Sequence, residues 1–312
     1  MNKKVKTNKI MSKKVKTNLF VYSLIAYPLI LFAIFYVATN FNSVLLAFQR
    51  IDGTGKHFAG IENFSAFLSE AFGRGEVLSY SLINSVKMYL INLLICLPLY
   101  VFFSYLIFKR CFLNKVISFL IMIPAMMSGL VIALIFVNFI GSDGPLTAIF
   151  KTLGINDGEW INLLYDKKYA FGTTIFYMIW LSFSTSLIVY PTAMRGISPE
   201  IFESAKIDGV THMFQELWYI ILPLIYPTFT TFLITGFAAI FSTAGPLLEF
   251  YYTGAPDYVS NMGYYFTKMI LVDSTEFSYP KYAAGGLILT IIVAPLTLLL
   301  KWALEKFGPT TE

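Results

Sequence analysis

Residues 197–223 read ISPEIFESAKIDGVTHMFQELWYIILP and contain the signals that begin and end a short helix. Ser198 is a favourable N-cap, and Pro199 suits the first helical position, where its missing N–H leaves no hydrogen bond unmade. Gly209 is expected to end the helix, because glycine readily adopts the left-handed conformation of a C-cap. Thr211 can cap a second helix that continues into the apolar residues beyond. The stretch therefore predicts a short helix joined by a tight turn to a longer one.

Six long apolar blocks surround this stretch. Of the 312 residues, 57% are hydrophobic and 13% are charged, whereas a soluble domain typically has about 25% charged residues. A helix needs about 20 apolar residues to cross a bilayer, and each block is long enough. Lipid offers no other partner for backbone polar groups, so the blocks are expected to be helical. The predicted spans are 19–39, 83–108, 116–140, 170–192, 218–243 and 283–304.

The distribution of Lys and Arg predicts the orientation of the spans, because cytoplasmic loops carry an excess of basic residues. Basic residues are more than twice as dense in the two tails and in loops 109–115 and 193–217 as in the remaining loops. Both termini are therefore expected in the cytoplasm, and the short helix with them. The first block is expected to be a retained helix, since its apolar run is longer than that of a signal peptide.

The predicted fold is an all-α integral membrane protein with six transmembrane helices. Its expected parts are a basic cytoplasmic tail over 1–18, a first transmembrane helix and outer loop over 19–76, and a five-helix transmembrane domain over 77–305. A cytoplasmic tail over 306–312 follows. The short helix and its turn occupy about 198–213 within the third part.

Several functional classes lack their usual residues. The cores of the blocks contain no Asp, Glu or Arg, which argues against an ion-coupled carrier. The Gly55-Lys56 pair lacks the rest of an ATP-binding Walker A loop. His57 and His212 both lie outside the predicted spans, so no metal centre or catalytic cluster is predicted. Much of the net charge of +5 reflects lysines before the first span and does not indicate nucleic-acid binding.

The stretch that begins at Glu203 resembles the EAA loop of bacterial binding-protein-dependent ABC importers. The family pattern is E-A-A-x-x-D-G-A followed by I-x-L-P, and here Ser204 and Val210 replace alanines. In that family the loop forms a coupling helix that docks into a groove on the ATPase subunit. The resemblance implies that this role falls to Glu203, Ser204, Ala205, Asp208, Gly209, Leu222 and Pro223.

Weaker motifs resemble the carbohydrate-uptake branch, the maltose and multiple-sugar permeases. They are Gly60-Ile61-Glu62-Asn63-Phe64, Gly144-Pro145-Leu146 and Tyr282-Ala283-Ala284-Gly285. The implied fold is the type I importer transmembrane domain in a bacterial cytoplasmic membrane. The implied partners are a second homologous permease, two copies of an ATPase subunit that bind ATP and Mg²⁺, and an extracellular solute-binding protein.

An imported sugar would need hydroxyl and amide hydrogen bonds and aromatic faces along its path. The candidate lining residues are Asn92, Asn138, Tyr177, Ser182, Ser184, Ser186, Thr235 and Ser242. Hydrogen bonding between helices is the alternative role for each of them. Glu249 is interpreted as an exposed loop charge, with a functional role as the alternative. An oligosaccharide is the expected substrate, and whether it contains uronic acid stays open.

Three other interpretations compete with a sugar importer. A permease of the same superfamily for a non-sugar solute would keep the coupling helix. An ion-coupled carrier or a channel would need neither this helix nor an ATPase partner. A membrane scaffold would not need a capped, glycine-stopped helix on its surface.

Overall fold

The computed structural model describes residues 13–73, 76–110, 114–155, 159–272 and 276–309. Of the predicted tails, residues 1–12 and 310–312 lie outside these described residues. The rest of the chain forms a bundle of helices with one small β-hairpin at its edge.

The first half of the bundle contains the hairpin and eight helices among the described residues. They are α1 (Lys13–Leu31), α2 (Thr39–Ala47), β1 (Gln49–Asp52), β2 (Gly55–Phe58), α3 (Glu62–Ala71), α4 (Val77–Ile91), α5 (Leu97–Phe108), α6 (Asn114–Met126), α7 (Gly129–Ile140) and α8 (Pro145–Thr152). π-Helical turns over Phe32–Ala38 and Asn92–Cys96 join α1 to α2 and α4 to α5 without a break in the rod.

The second half alternates two long helices with short ones. Its helices are α9 (Ala170–Arg195), α10 (Pro199–Ile207), α11 (Met213–Glu216), α12 (Leu222–Leu224), α13 (Tyr226–Ala238), α14 (Leu247–Tyr251), α15 (Met262–Val272) and α16 (Tyr279–Phe307). A π-helical turn over Leu217–Ile221 joins α11 to α12.

Five helical stretches in the described ranges are long and apolar enough to cross a bilayer. They are Thr17–Ala47, Val77–Phe108, Gly129–Thr152, Ala170–Arg195 and Tyr279–Phe307. The pair Met213–Leu224 and Tyr226–Ala238 gives a sixth span if it is counted as one. The prediction of a multi-span helical fold is therefore confirmed, although two of the predicted spans are not continuous helices.

The third predicted span, 116–140, is broken in its middle. The α6 helix ends at Met126, and Ser128 is extended, with φ −64° and ψ 140°, before α7 begins at Gly129. Pro124 lies within the last turn of α6, where it removes a backbone donor. The prediction of one continuous helix was wrong here, because apolar composition alone carries no signal for such a break.

The fifth predicted span, 218–243, bends by 71° between Leu224 and Tyr226. Prolines stand on both sides of the bend, at positions 223 and 227. Each removes an N–H from the helical ladder and crowds the preceding turn, which is the usual cause of a sharp kink. The span therefore consists of two rods that meet at Ile225.

Successive spans reverse direction, so their connections gather at two ends of the bundle. At one end, α10 and α11 pack against α5, with Phe108 and Phe202 ring centroids 5.8 Å apart and Phe102 and Phe214 centroids 6.1 Å apart. We refer to this as the α10 end. The hairpin, α3 and α15 lie at the opposite end, the hairpin end.

The hairpin is held by the asparagine of the Gly60–Phe64 motif. Its strands are antiparallel, with Gln49 opposite Phe58. Asn63 Nδ2 donates to the carbonyl oxygens of Ala47 at 2.9 Å and Gln49 at 2.7 Å. One side chain thus joins the end of the first span to the start of the hairpin.

The α3 helix is fixed against α15 and α16 by one apolar and one polar contact. Phe67 is buried and packs against Gly285 of α16. Glu70 Oε1 accepts a hydrogen bond from the Tyr265 hydroxyl at 2.9 Å, and Oε2 pairs with Lys281. Burial is the main cause that raises the pKa of Tyr265, and the hydrogen bond to Glu70 raises it further. The Tyr265 hydroxyl therefore keeps the proton that it donates.

Adjacent glycines on α16 provide a test of this packing. A Cβ at Gly285 would overlap the Phe67 ring, whereas a Cβ at Gly286 would meet nothing within 4 Å. We expect Gly285→Ala to lower the stability by about 1–3 kcal/mol through overpacking, and Gly286→Ala to leave it unchanged. Thermal unfolding of the two purified variants in detergent measures the difference, and equal midpoints would contradict the close approach.

Candidate functional site

The short helix, expected over 199–208, is present as α10 and ends one residue earlier, at Ile207. Ser198 occupies the N-cap with φ −60° and ψ 134°, but its side chain makes no capping hydrogen bond. Gly209 has a φ of +92°. The Gly209 N–H donates to Lys206 O at 3.2 Å and the Val210 N–H to Ala205 O at 2.9 Å, which is the Schellman pattern. The glycine stop is confirmed.

The second cap was wrongly assigned by one residue. His212, not Thr211, precedes the first turn of α11. The His212 N–H donates to Gln215 Oε1 at 3.3 Å, so the residue three positions on supplies the reciprocal bond of a capping box. The preference of threonine for caps did not outweigh this pairing.

The predicted coupling residues divide into an exposed group and a supporting group. Glu203, Ser204, Asp208 and Gly209 are exposed on α10 and its turn, with Ala205 half-buried beneath them. Leu222 and Pro223 are half-buried in α12, which follows the π-helical turn after α11. The α10 helix also exposes an apolar side chain at its end, since Ile207 is 86% exposed. A protein surface could bind here through both charge and apolar contact.

An ion pair that rests on aromatic rings ties α10 to α5. Lys109 Nζ lies 2.5 Å from Glu216 Oε1, and the Lys109 and Glu216 side chains are 39% and 15% exposed. The same ammonium lies 5.3 Å from the ring centroid of Phe202 on α10 and 5.7 Å from that of Tyr105. We call Lys109, Glu216 and Phe202 the α10 latch. Nothing in the local sequence around any of them predicted it.

Two of the predicted pathway residues line one cavity. Tyr177 and Ser182, on α9, border a cavity of about 240 Å³ together with the turn before α14 and the first residue of α7. Tyr177 is itself buried among rings, with centroids 4.8 Å from Phe250 and 4.9 Å from Phe136. The lining of the cavity thus includes an aromatic side chain and hydroxyl groups.

The remaining pathway candidates are dispersed. Ser184 and Ser186 are buried, Ser242 lines a separate groove of about 570 Å³ against α16, and Asn92 is exposed. Asn138 and Thr235 are exposed, and their side chains donate to carbonyls of their own helices, Leu134 at 2.8 Å and Thr231 at 2.7 Å. The structure does not bring these six residues together, and their role in a pathway stays a prediction.

Glu249 was wrongly interpreted as an exposed loop charge. It is partly buried on α14 and borders the cavity of Tyr177 and Ser182. The segment that carries it folds back between the helices because Asn261 Nδ2 donates to Ala244 O at 3.1 Å. Hydropathy placed this segment outside the spans, where an exposed carboxylate would be ordinary.

A buried polar row on α4 was missed by the sequence analysis. Asn84 Nδ2 donates to the carbonyls of Tyr258 and Ser260, each at 2.9 Å. Ser81 Oγ lies 2.8 Å from Ser260 Oγ, and Ser85 Oγ accepts from the Met262 N–H at 2.9 Å. These residues share one helix face by their spacing of three and four. That spacing, within an otherwise apolar helix, was the available signal.

In the part of the chain that the structure describes, no group of three or more His, Cys, Asp or Glu side chains could hold a metal ion. The candidate site consists of the exposed α10 surface, the latch beneath it and the cavity at Tyr177.

The two asparagines of the second span provide a matched test. Asn84→Ala removes both bonds to the segment before α15 and leaves buried carbonyls unpaired, which should cost about 1–3 kcal/mol for each. Asn92→Ala, at an exposed position, should have little effect. Limited proteolysis between residues 252 and 262 checks this, and equal resistance in the two variants would contradict the anchoring role of Asn84.

Comparison with known proteins places these features in a family. MsmF of Streptococcus mutans, a permease of a multiple sugar-binding transport system, is 26% identical over 290 residues, which cover 90% of this chain and 93% of that protein. YteP of Bacillus subtilis, a polygalacturonan/rhamnogalacturonan permease, is 26% identical over 198 residues, which cover 61% of this chain but only 59% of that protein.

The fold is also shared with a solved transporter. A chain in the crystal structure of a bacterial alginate ABC transporter, in complex with an alginate pentasaccharide-bound periplasmic protein, matches with a TM-score of 0.79. The match covers 96% of this chain and 99% of that one at 19% identity. This likeness shows the fold, which is that of a type I ABC importer permease, as the sequence predicted.

The family model of the binding-protein-dependent transport system inner membrane component matches residues 77–312, which is most of the chain. The chain belongs to this family of multi-pass ABC transporter permeases, which are not themselves enzymes.

Proposed function

We propose that this chain forms half of the translocation pathway of an ATP-driven importer for a sugar, most simply an oligosaccharide. The support is the family match together with relatives whose names specify sugar transport. The fold neighbour belongs to a transporter of alginate, which is also a carbohydrate. The cavity at Tyr177 and Ser182 offers the aromatic and hydroxyl contacts that such a substrate would use.

The proposed complex contains a second homologous permease, two copies of an ATPase subunit that bind ATP and Mg²⁺, and an extracellular solute-binding protein. The family description itself names dependence on a binding protein. The first span supports the second permease, since no residue from 18 to 46 is buried against this chain. An apolar helix left open in this way suits lipid and a neighbouring subunit.

The proposed location is the cytoplasmic membrane of a bacterial cell, with both termini and the α10 end in the cytoplasm. The concentration of Lys and Arg at this end supports the orientation. Facing the cytoplasm, the exposed Glu203, Ser204 and Ile207 would meet the ATPase.

The observation that carries the proposal is the construction of α10. It is a rigid surface helix with a left-handed glycine stop, an exposed outer face and an inner face joined to α5 through Phe202. When ATP closes the two ATPases, a push on α10 would pass into α5 and, through Glu216, into the fifth span. The bundles would then exchange inward- and outward-facing states.

Gly209→Val tests the coupling role. A β-branched residue at φ +92° is strained by about 1–3 kcal/mol, so the turn should rearrange and displace Asp208 and Glu203. We expect ATP hydrolysis stimulated by the binding protein to fall to the basal rate, with normal membrane insertion. The measurement is ATPase activity of the reconstituted transporter with and without binding protein.

A matched control is Gly172→Val on α9. A Cβ at Gly172 meets nothing within 4 Å, and its φ is not positive, so stimulated hydrolysis should persist. Normal transport by the Gly209→Val protein would refute the assignment of α10 as the coupling helix.

The α10 latch gives a second test. Lys109→Met keeps the side-chain stem but leaves Glu216 without its ion-pair partner, which should weaken the junction by about 1–3 kcal/mol for a partly buried pair. We expect ATP hydrolysis to continue while sugar uptake per ATP falls several-fold. Double replacement with Glu216→Gln should restore part of the ratio.

The control for the latch is Lys301→Met. Lys301 and Glu305 form a pair at 3.7 Å with side chains 53% and 64% exposed, and such exposed pairs contribute little. Uptake per ATP should match the unmodified protein. An equal loss in both variants would indicate a general effect of removing a lysine and would argue against the latch.

A further inference from the structure

The carboxylate of Glu249 has unused capacity to accept hydrogen bonds beside the cavity. Its Oε2 atom is buried and has no hydrogen-bond partner. Its Oε1 atom lies on the side of Gly129, 3.7 Å from the position that a Cβ would occupy there. An ionised carboxylate accepts hydrogen bonds through both oxygens and donates none. An atom of this kind is costly to bury unless a ligand or water supplies a donor.

Among the described residues that line the cavity, none carries a positive charge to balance this group. Its lining residues are Gly129, Tyr177, Met178, Leu181, Ser182, Thr243, Gly245, Pro246 and Glu249. Glu249 is the one carboxylic acid among them, and neither Lys nor Arg is present in this set. An ionised Glu249 would therefore make the field in the cavity negative, and the hydroxyl groups of a transported molecule could supply donors to it.

The other side of the cavity suits a sugar ring. Tyr177 presents a ring packed edge-on to Phe250, with centroids 4.8 Å apart and planes at 64°, so it is held in place by its neighbours. Ser182 and Thr243 add hydroxyl groups to the lining of the same cavity. A sugar unit in the cavity would bring its own hydroxyl groups within reach of Glu249, which borders the same space.

We propose that Glu249 makes this cavity a subsite for uncharged sugar units and excludes units that carry a carboxylate. The inference rests on the proposed sugar-import function and narrows its substrate class. A neutral unit supplies hydroxyl donors to the carboxylate. A uronic-acid unit would place a second negative charge beside it in a cavity without a cation, where like charges repel strongly.

The proposal separates this chain from transporters that it resembles. The fold neighbour imports an acidic polysaccharide, and the named substrate of the YteP system includes polygalacturonan. A buried acid at the cavity is the wrong charge for such cargo. Under this proposal, the sugar units that bind in the cavity are not uronic acids, a point that the sequence left open.

Charged thiol reagents measure the field without knowledge of the substrate. Ser182→Cys is introduced into the full chain after Cys96→Ala and Cys111→Ser, and the complete transporter is tested in membrane vesicles. Cationic and anionic methanethiosulfonates of similar size are compared by their rates of reaction with the introduced thiol. We expect the cationic reagent to react about tenfold faster, as one nearby negative charge implies.

The variants locate the source of that preference. Glu249→Gln should bring the two rates close together, and Glu249→Asp should keep the cationic preference. The matched control is Glu62→Gln, the same change at a residue whose side chain is 63% exposed and pairs with Arg50 outside the cavity. A ratio of cationic to anionic reaction rates that Glu249→Gln leaves unchanged would overturn the proposal.

Sugar protection completes the test with two ligands that differ at one carbon of each ring. Galactotriose is neutral, and trigalacturonate carries a carboxylate on each ring. Galactotriose should slow the modification of the introduced thiol by a small uncharged reagent, whereas trigalacturonate should do so only when Glu249→Gln is also present. Equal protection by both sugars while Glu249 is intact would overturn the proposal. Protection by neither, with a charge ratio that still follows Glu249, would overturn the sugar function and uphold the charge selection.

Discussion

Lipid supplies no hydrogen-bond partner to a peptide group, and this constraint governs where the chain can leave the helical conformation. The segment from Ala239 to Asn261 is irregular apart from short helical turns such as α14, and side chains of the protein pair three of its carbonyls. Asn84 binds two of them and Asn261 binds a third. The break at Ile225 is also buried, whereas the break at Ser128 is exposed. Where irregular backbone lies inside the bundle, the protein itself pairs it.

The sequence distance between interacting residues explains which features could be predicted from the sequence. The α10 helix was predictable because its start and stop are encoded within a dozen residues, and the φ of Gly209 depends only on the local turn. The anchoring role of Asn84 was not, because its partners lie 174 and 176 positions away. Ser128 breaks a helix in a block that is apolar throughout, and Pro124 alone did not indicate a full break there. Glu249 was misplaced because hydropathy cannot distinguish an exposed loop from one that folds inward.

Polar contacts at the two ends of the bundle have different constructions. At the α10 end, Lys109 lies against several aromatic rings and pairs with Glu216 in the α10 latch. At the hairpin end, Glu70 joins α3 to α15 and α16 through a hydroxyl and an ammonium. The first arrangement ties a surface helix to two spans, and the second ties a peripheral helix to the bundle. The α10 helix is therefore tied to the bundle at defined points.

The bend at Ile225 gives the fifth span the geometry of a lever. Its long arm, α13, has 13 residues and is therefore about 20 Å long. Turning such an arm by about 10° at its pivot displaces the far tip by roughly 3 Å, with no change in the helix itself. The tip leads into Thr243 and Gly245, which border the Glu249 cavity. A small rotation beside α10 would thereby displace the opposite end of the arm by about the size of a water molecule.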